Sequence, residues 1–156
     1  MARHHTLSTV LIPLFALSFL ASCSLLPSSG SVPTCGWTTS IPSHGDRLCT
    51  ESYSLFRRLT LDEATGNDAA VHRLVTSPVV ARRIIAYGRR LRSRGLRSLQ
   101  PATTLLLTAR GANQILASGD LKGQTKHGKI DLEEVIRIRF DSGRPRVVGD
   151  IPFEEW

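Results

Sequence analysis

The apolar pattern of this chain changes once, near Pro101, from helical spacing to the alternation typical of β-strands. Three segments before that point have apolar residues three or four positions apart, and they are 51–64, 69–75 and 78–94. Four segments after it are β-prone or alternate between apolar and polar residues, and they are 103–109, 114–121, 130–141 and 146–153. Helices followed by strands predict one α+β domain over residues 50–156, with the helices packed on a curved antiparallel sheet of about four strands.

The third helical segment has clear boundary signals. Ser77-Pro78 combines a capping hydroxyl with a proline at the first helical position, and Gly95 suits the left-handed residue that ends a helix. Four apolar residues recur at helical spacing between these boundaries, and we expect them to be buried together: Val80, Ile84, Tyr87 and Leu91.

The remaining circumference of that helix is rich in arginine. Burying its apolar side turns six arginines toward solvent: Arg82, Arg83, Arg89, Arg90, Arg92 and Arg94. The chain carries a formal charge of +7, so this face favours anionic lipid or a cell-wall polymer. A purely solvated face is the simpler interpretation, because most runs of charge are solvated. Nucleic acid is disfavoured as a partner, because the chain bears an export signal and few aromatic residues interleave with the arginines to stack on bases.

The N-terminal residues have the pattern of that export signal. A polar start containing Arg3 precedes eleven largely apolar residues, 10–20, which are fewer than the roughly 20 that a membrane-spanning helix needs. Leu20-Ala21-Ser22-Cys23 then resembles the lipobox of bacterial lipoproteins. The resemblance implies that residues 1–22 are removed, that Cys23 is acylated, and that the chain is anchored on the extracytoplasmic side of the cell membrane, or at an outer membrane if the organism has one. An ordinary signal peptide with an incidental Cys23 is the alternative.

Residues 23–49 are rich in Ser and Pro and predict a tether that holds the domain away from the lipid surface. Cys35 and Cys49 are the even pair that remains if Cys23 is acylated, and such a pair is expected to bridge in an oxidising compartment. Closing a loop of this size stabilises a fold by about 3 kcal/mol in the chain-entropy model. Metal binding is the alternative, although two cysteines without CxxC spacing make a poor zinc site.

The order of segments resembles the nuclear transport factor 2-like (cystatin-like) α+β superfamily. The residues that carry the resemblance are Gly66-Asn67-Asp68 with Leu74-Val75, and the hairpin that runs from 135–140 through Gly143 to Val147-Val148. One departure is Pro145, which stands where the family usually has an aromatic residue. The resemblance implies a fold that hosts isomerases, dehydratases and many non-catalytic accessory domains, so the fold alone does not assign a function.

Glu134 is the one candidate for acid–base chemistry. The alternation of its strand places it inward beside Leu132 and Ile136, where loss of solvation would raise its pKa. A β-bulge at Glu133-Glu134 that turns both acids to solvent is the simpler expectation. The sequence has no Gly-rich phosphate loop, HExxH motif or nucleophile elbow.

These features together predict a lipid-anchored, non-catalytic binding or accessory module of the bacterial cell envelope, with no cofactor and no metal. A small enzyme that uses Glu134 in an apolar pocket and a structural spacer are the alternatives.

Overall fold

The computed structural model describes residues 33–142 and 144–151, all of which lie in the unit Ser31–Trp156. The three helices are α1 (Gly45–Thr65), α2 (Asp68–Leu74) and α3 (Pro78–Ser93). The strands are β1 (Thr34–Trp37), β2 (Leu96–Gln100), β3 (Thr104–Ala109), β4 (Gln114–Thr125), β5 (Gly128–Asp141) and β6 (Arg144–Ile151). The export signal, Cys23 and the lipobox lie outside the described residues.

Local sequence explains where the helices begin and end. Gly66 takes a left-handed conformation (φ 77°) and closes α1, as a residue without Cβ does easily. The Asn67 side chain then accepts a hydrogen bond of 3.3 Å from the Ala70 amide and caps α2. Ser77 caps α3 in the same way, with Pro78 as the first helical residue. All three predicted helices are therefore confirmed, although α1 begins at Gly45 instead of near residue 50.

The sheet has six strands in the order β1-β3-β4-β5-β6, and β2 also pairs with β4. The long strand β4 pairs with both β3 and β2. Its residues 115–118 pair with β3, and its residues 122–125 pair with β2. Of the six described strands, only β1 runs parallel to its neighbour, β3. The α+β class is confirmed, while the sheet is mixed and larger than the expected antiparallel sheet of about four strands. The two additional strands are only four and five residues long, too short for an apolar alternation to predict them.

The core lies between the helices and one face of the sheet. The largest fully buried side chains come from α1, α2 and the sheet: Phe56, Leu59, Leu105, Leu107, Ile136, Ile138, Val71 and Val147. From α3, Val80, Ile84 and Leu91 are buried and Tyr87 is half-buried, which confirms the predicted stripe. The disulfide between Cys35 and Cys49 joins β1 to α1, as the cysteine count predicts. Among the described residues, no helix is long and apolar enough to cross a membrane.

Candidate functional site

Glu134 lies on the inner face of β5. The pairing of β5 with β4 is regular through Glu133 and Glu134, so the two side chains point to opposite faces. Glu133 faces outward, where Ser118 Oγ donates a hydrogen bond of 2.8 Å to its Oε1. Glu134 faces inward with the fully buried Ile136. The β-bulge expected at Glu133-Glu134 is wrong, because the pairing irregularity of β5 lies further along, at Arg137 on its pairing with β6.

Glu63 of α1 is a second inward-facing acid and was not predicted. It is only 4% exposed, and its Oε1 has no hydrogen-bond partner among the described residues. Gly88 lets α3 approach it, since a Cβ there would lie 2.6 Å from Glu63 Cγ and 2.7 Å from its carbonyl oxygen. Arg92 Nη1 of α3 donates a hydrogen bond to that carbonyl. The signal for Glu63 was present in the sequence, because a residue four positions after Leu59 lies on the same side of the helix.

The surroundings of the two acids keep both in the neutral form at pH 7. Burial, followed by the charge of Glu134, raises the pKa of Glu63 to about 9, against the opposing charge of Arg92. Burial and the charge of Asp150 raise the pKa of Glu134 to about 8, and its Oε2 is also buried without a partner among the described residues. A neutral carboxyl can donate a hydrogen bond or a proton. Glu63 and Glu134 together are called the acid pair below.

Asp150 of β6 lies near the acid pair and forms an ion pair with Arg83 of α3. It stands opposite the buried Ile136 in the sheet, and its side chain is 11% exposed. Arg83 of α3 binds it through two contacts of 3.0 Å from Nε to the two carboxylate oxygens, and through a further contact from Nη2 to Oδ1. This ion pair raises the pKa of Arg83. No cluster of three or more His, Cys, Asp or Glu side chains within 33–142 and 144–151 is arranged to hold a metal ion.

The arginines of α3 are exposed for the most part, but Arg83, Arg89 and Arg92 contact other elements of the domain. Arg83 binds Asp150, and Arg89 Nη2 lies 2.6 Å from Asp68 Oδ2 of α2. The Arg90 guanidinium lies 5.9 Å from the centre of the Tyr87 ring. Arg92 is half-buried against α1, so it does not belong to the solvent face on which the sequence pattern placed it.

An open groove lies on the other side of α1, away from the acid pair. It has a volume of about 770 Å³ and is bounded by the outer side of α1, by α2 and by the start of β6. Four exposed arginines line it: Arg58, Arg73, Arg144 and Arg146. A second concavity of about 370 Å³ shares Arg144 and Arg146 with the groove. Neither concavity includes Glu63 or Glu134.

The groove combines an apolar floor with a basic rim. Leu55 and Ala70 are buried beneath it and Leu74 is half-buried. Arg146 Nη1 donates a hydrogen bond to the Arg73 carbonyl and thereby joins β6 to α2. Among the described residues, none of the four groove arginines forms an ion pair with a carboxylate. Sequence reasoning did not find this site, because its residues come from three distant segments.

Comparisons with known proteins identify the fold. The chain resembles a proposed polyketide cyclase from Bacillus cereus ATCC 10987 with 14% identity and a TM-score of 0.50, over 81% of this chain and 87% of that one. A proposed ketosteroid isomerase from Shewanella frigidimarina shows 16% identity and a TM-score of 0.47, over 62% of this chain and 90% of that one. No family model and no curated protein matches the sequence. The domain has the nuclear transport factor 2-like α+β fold, a fold that includes both enzymes and binding modules.

Proposed function

We propose that this protein is a lipid-anchored, non-catalytic binding module of the bacterial cell envelope, and that its groove binds an anionic ligand. The anchor would be lipid on Cys23, and the surface that binds the ligand would be the groove on the outer side of α1. The binding role is supported above all by one observation, the group of four groove arginines that no carboxylate among the described residues neutralises.

The proposed lipid anchoring at the cell envelope is supported by the sequence alone. An apolar stretch too short to span a bilayer is followed directly by Leu20-Ala21-Ser22-Cys23. Two acyl chains would hold the chain stably at a membrane, since each buried methylene contributes about 0.8 kcal/mol. The disulfide between Cys35 and Cys49 is compatible with an oxidising compartment outside the cytoplasm.

The groove is favoured over the α3 face as the anionic contact. On α3, Arg83 and Arg89 are neutralised by carboxylates of the same domain, and Arg92 is held at the α1 backbone. A guanidinium that already binds a carboxylate has less to gain from a second anion. Within the part of the chain that the structure describes, the groove arginines form no ion pair with a carboxylate, and they line a concave surface, which is the usual shape of a ligand site.

The anchoring is tested by metabolic labelling with a radioactive fatty acid in a bacterial host. We expect label on the wild-type chain, none on the Cys23→Ala variant, and release of the variant from the membrane fraction. Cys35→Ala is the matched control, because it removes a different cysteine and should leave the label in place. Equal labelling of wild type and Cys23→Ala would contradict the anchoring.

A small enzyme is the second candidate, and the inward position of Glu134 favours it. The acid pair could serve as a proton donor only if a substrate reached it, whereas Gly88 and the α3 backbone close over Glu63. Carbodiimide with an added amine couples to protonated carboxyls that solvent can reach, and mass spectrometry locates the label. We expect Glu63, which is 4% exposed, to react only after unfolding, and its rapid reaction in the folded protein would favour the enzyme.

A further inference from the structure

The groove differs from a plain basic patch, because its charge surrounds an apolar floor. Leu55 and Leu74 form the floor, while Arg58 and Arg144 stand at the rim. Solvated patches of charge usually lack such a floor, and purely apolar grooves lack the charge. A ligand that satisfies both parts must itself carry an apolar body and an anionic group.

The charge of the lining indicates how much negative charge that group carries. The lining contains four arginines and two carboxylates, Glu51 and Asp62, so it has a formal excess of two positive charges. Arg47 Nε lies 2.8 Å from Glu51 Oε1, while Glu51 Oε2 is buried without a partner among the described residues. Asn67 Nδ2 donates a hydrogen bond of 3.1 Å to Asp62 Oδ1. A phosphate monoester carries about −1.5 to −2 charges at pH 7, which matches this excess better than a single carboxylate does.

The geometry of guanidinium groups also favours a phosphate over a single carboxylate. Arg presents a planar fork of N–H donors that binds two oxygens of one phosphate at once. Arginines from α1, α2 and β6 line one concavity, so guanidinium donors face it from three elements. Arg146 fixes the relative position of two of these elements through its hydrogen bond to the Arg73 carbonyl.

We infer that the groove binds a single long-chain phosphate monoester, with its phosphate among the rim arginines and the first part of its chain on Leu55 and Leu74. This inference deepens the proposed function and rests on the groove being the binding surface. It assigns the ligand by chemical class: a phosphorylated amphiphile, in which both the phosphate and the chain are needed for binding.

Calorimetric titration tests the inference directly. The protein is the chain from Ser24 onward, which contains the entire hydrophobic core and lacks the proposed lipid-bearing cysteine. The probe is dodecyl phosphate below its micelle concentration, compared with dodecanol and with inorganic phosphate. We expect dodecyl phosphate to bind at least about tenfold more tightly than either part alone, because each part contributes separately.

A pair of matched variants locates the site. The variant Arg58→Gln/Arg144→Gln removes two rim charges, and Arg82→Gln/Arg97→Gln removes two exposed charges elsewhere. We expect the groove variant to lose about tenfold or more in affinity and the control to change less than about twofold. Circular dichroism and thermal melting confirm that both variants are folded.

Several outcomes would overturn the inference. They are the absence of dodecyl phosphate binding, equal losses in the two variants, binding of dodecanol as tight as that of dodecyl phosphate, and binding of inorganic phosphate as tight as that of dodecyl phosphate. The last of these would indicate a simple anion site. A lipid-labelled Cys23 combined with any of these outcomes would leave the anchoring intact and overturn the ligand assignment alone.

Discussion

The two sides of helix α1 use polar residues in opposite ways. On the inner side Glu63 is buried with Glu134, and its pKa is raised to about 9, chiefly by burial. On the outer side Arg58 is exposed at the rim of a groove. The inner acids destabilise the fold whenever they ionise. Replacing the outer arginine by an uncharged residue should cost little stability. The comparison teaches that, on this helix, the charge available to a ligand is on the outer side.

The acid pair should make stability fall as the pH rises, and this is the largest effect we expect. Below a pH of about 4.5 the acids are protonated in both the folded and the unfolded chain, so they do not favour unfolding. Above it the unfolded chain releases protons that the folded chain retains until pH about 8 to 9. Each acid that stays protonated in the folded chain therefore lowers the free energy of unfolding as the pH rises through that window, by roughly 1 kcal/mol per pH unit.

Urea denaturation at several pH values between 5 and 8 measures this slope. The Glu63→Gln/Glu134→Gln variant, in which neither residue can ionise, should have a much flatter profile. A wild-type free energy of unfolding that stays constant or increases from pH 5 to pH 8 would show that the pair is not buried in the neutral form.

Adding a methyl group at Gly88, between α1 and α3, should have the next largest effect on the free energy of unfolding. The Gly88→Ala variant places a Cβ within 2.7 Å of the Glu63 backbone oxygen, so one helix must move. We expect a loss of about 1 to 3 kcal/mol in the free energy of unfolding, typical of overpacking. The exposed Arg82→Ala on the same helix should change it by less than about 0.5 kcal/mol. Since alanine is the better helix former, an unchanged or higher stability of Gly88→Ala would mean that the helices are not in close contact.

Removing single arginines should give the smallest effect and sharpen the comparison. The Arg83→Gln variant leaves Asp150, which is 11% exposed, without its partner, and we expect a lower free energy of unfolding than that of the wild type. Arg58→Gln removes the same charge from the groove and should cost less than about 0.5 kcal/mol. Thermal or urea unfolding of the two variants side by side measures the difference. Equal losses would mean that the groove arginine also supports the fold.

The regular elements of the domain could be predicted because their signals are local. The helices follow from apolar residues at helical spacing and from caps such as Ser77, and the long strands follow from alternation. The short strands β1 and β2 could not be predicted in this way, because pairing with other strands, and not their own composition, defines them. The inward direction of Glu134 followed from alternation, which the structure confirms against the expected bulge.

The partners of Glu134 and the groove needed the structure. Glu63 is 71 positions earlier in the chain than Glu134, and only the packing of α1 on the sheet brings the two together. The groove likewise draws Arg58, Arg73 and Arg144 from separate segments. Side chains that meet only after folding leave no spacing signal in the sequence. The acylation of Cys23 stays a prediction from sequence.

Amide chemical shifts measured during a titration with dodecyl phosphate test the central claim, that the outer side of α1 binds the ligand and the inner side serves the fold. We predict that the largest shifts, in the folded chain from Ser24 onward, occur at Arg58, Ala70 and Leu74 around the groove. Amides of the inner sheet face at Gly119 and Glu134 should stay nearly unchanged. Shifts concentrated at Gly119 and Glu134, with little change around the groove, would contradict the claim and place the ligand beside the acid pair.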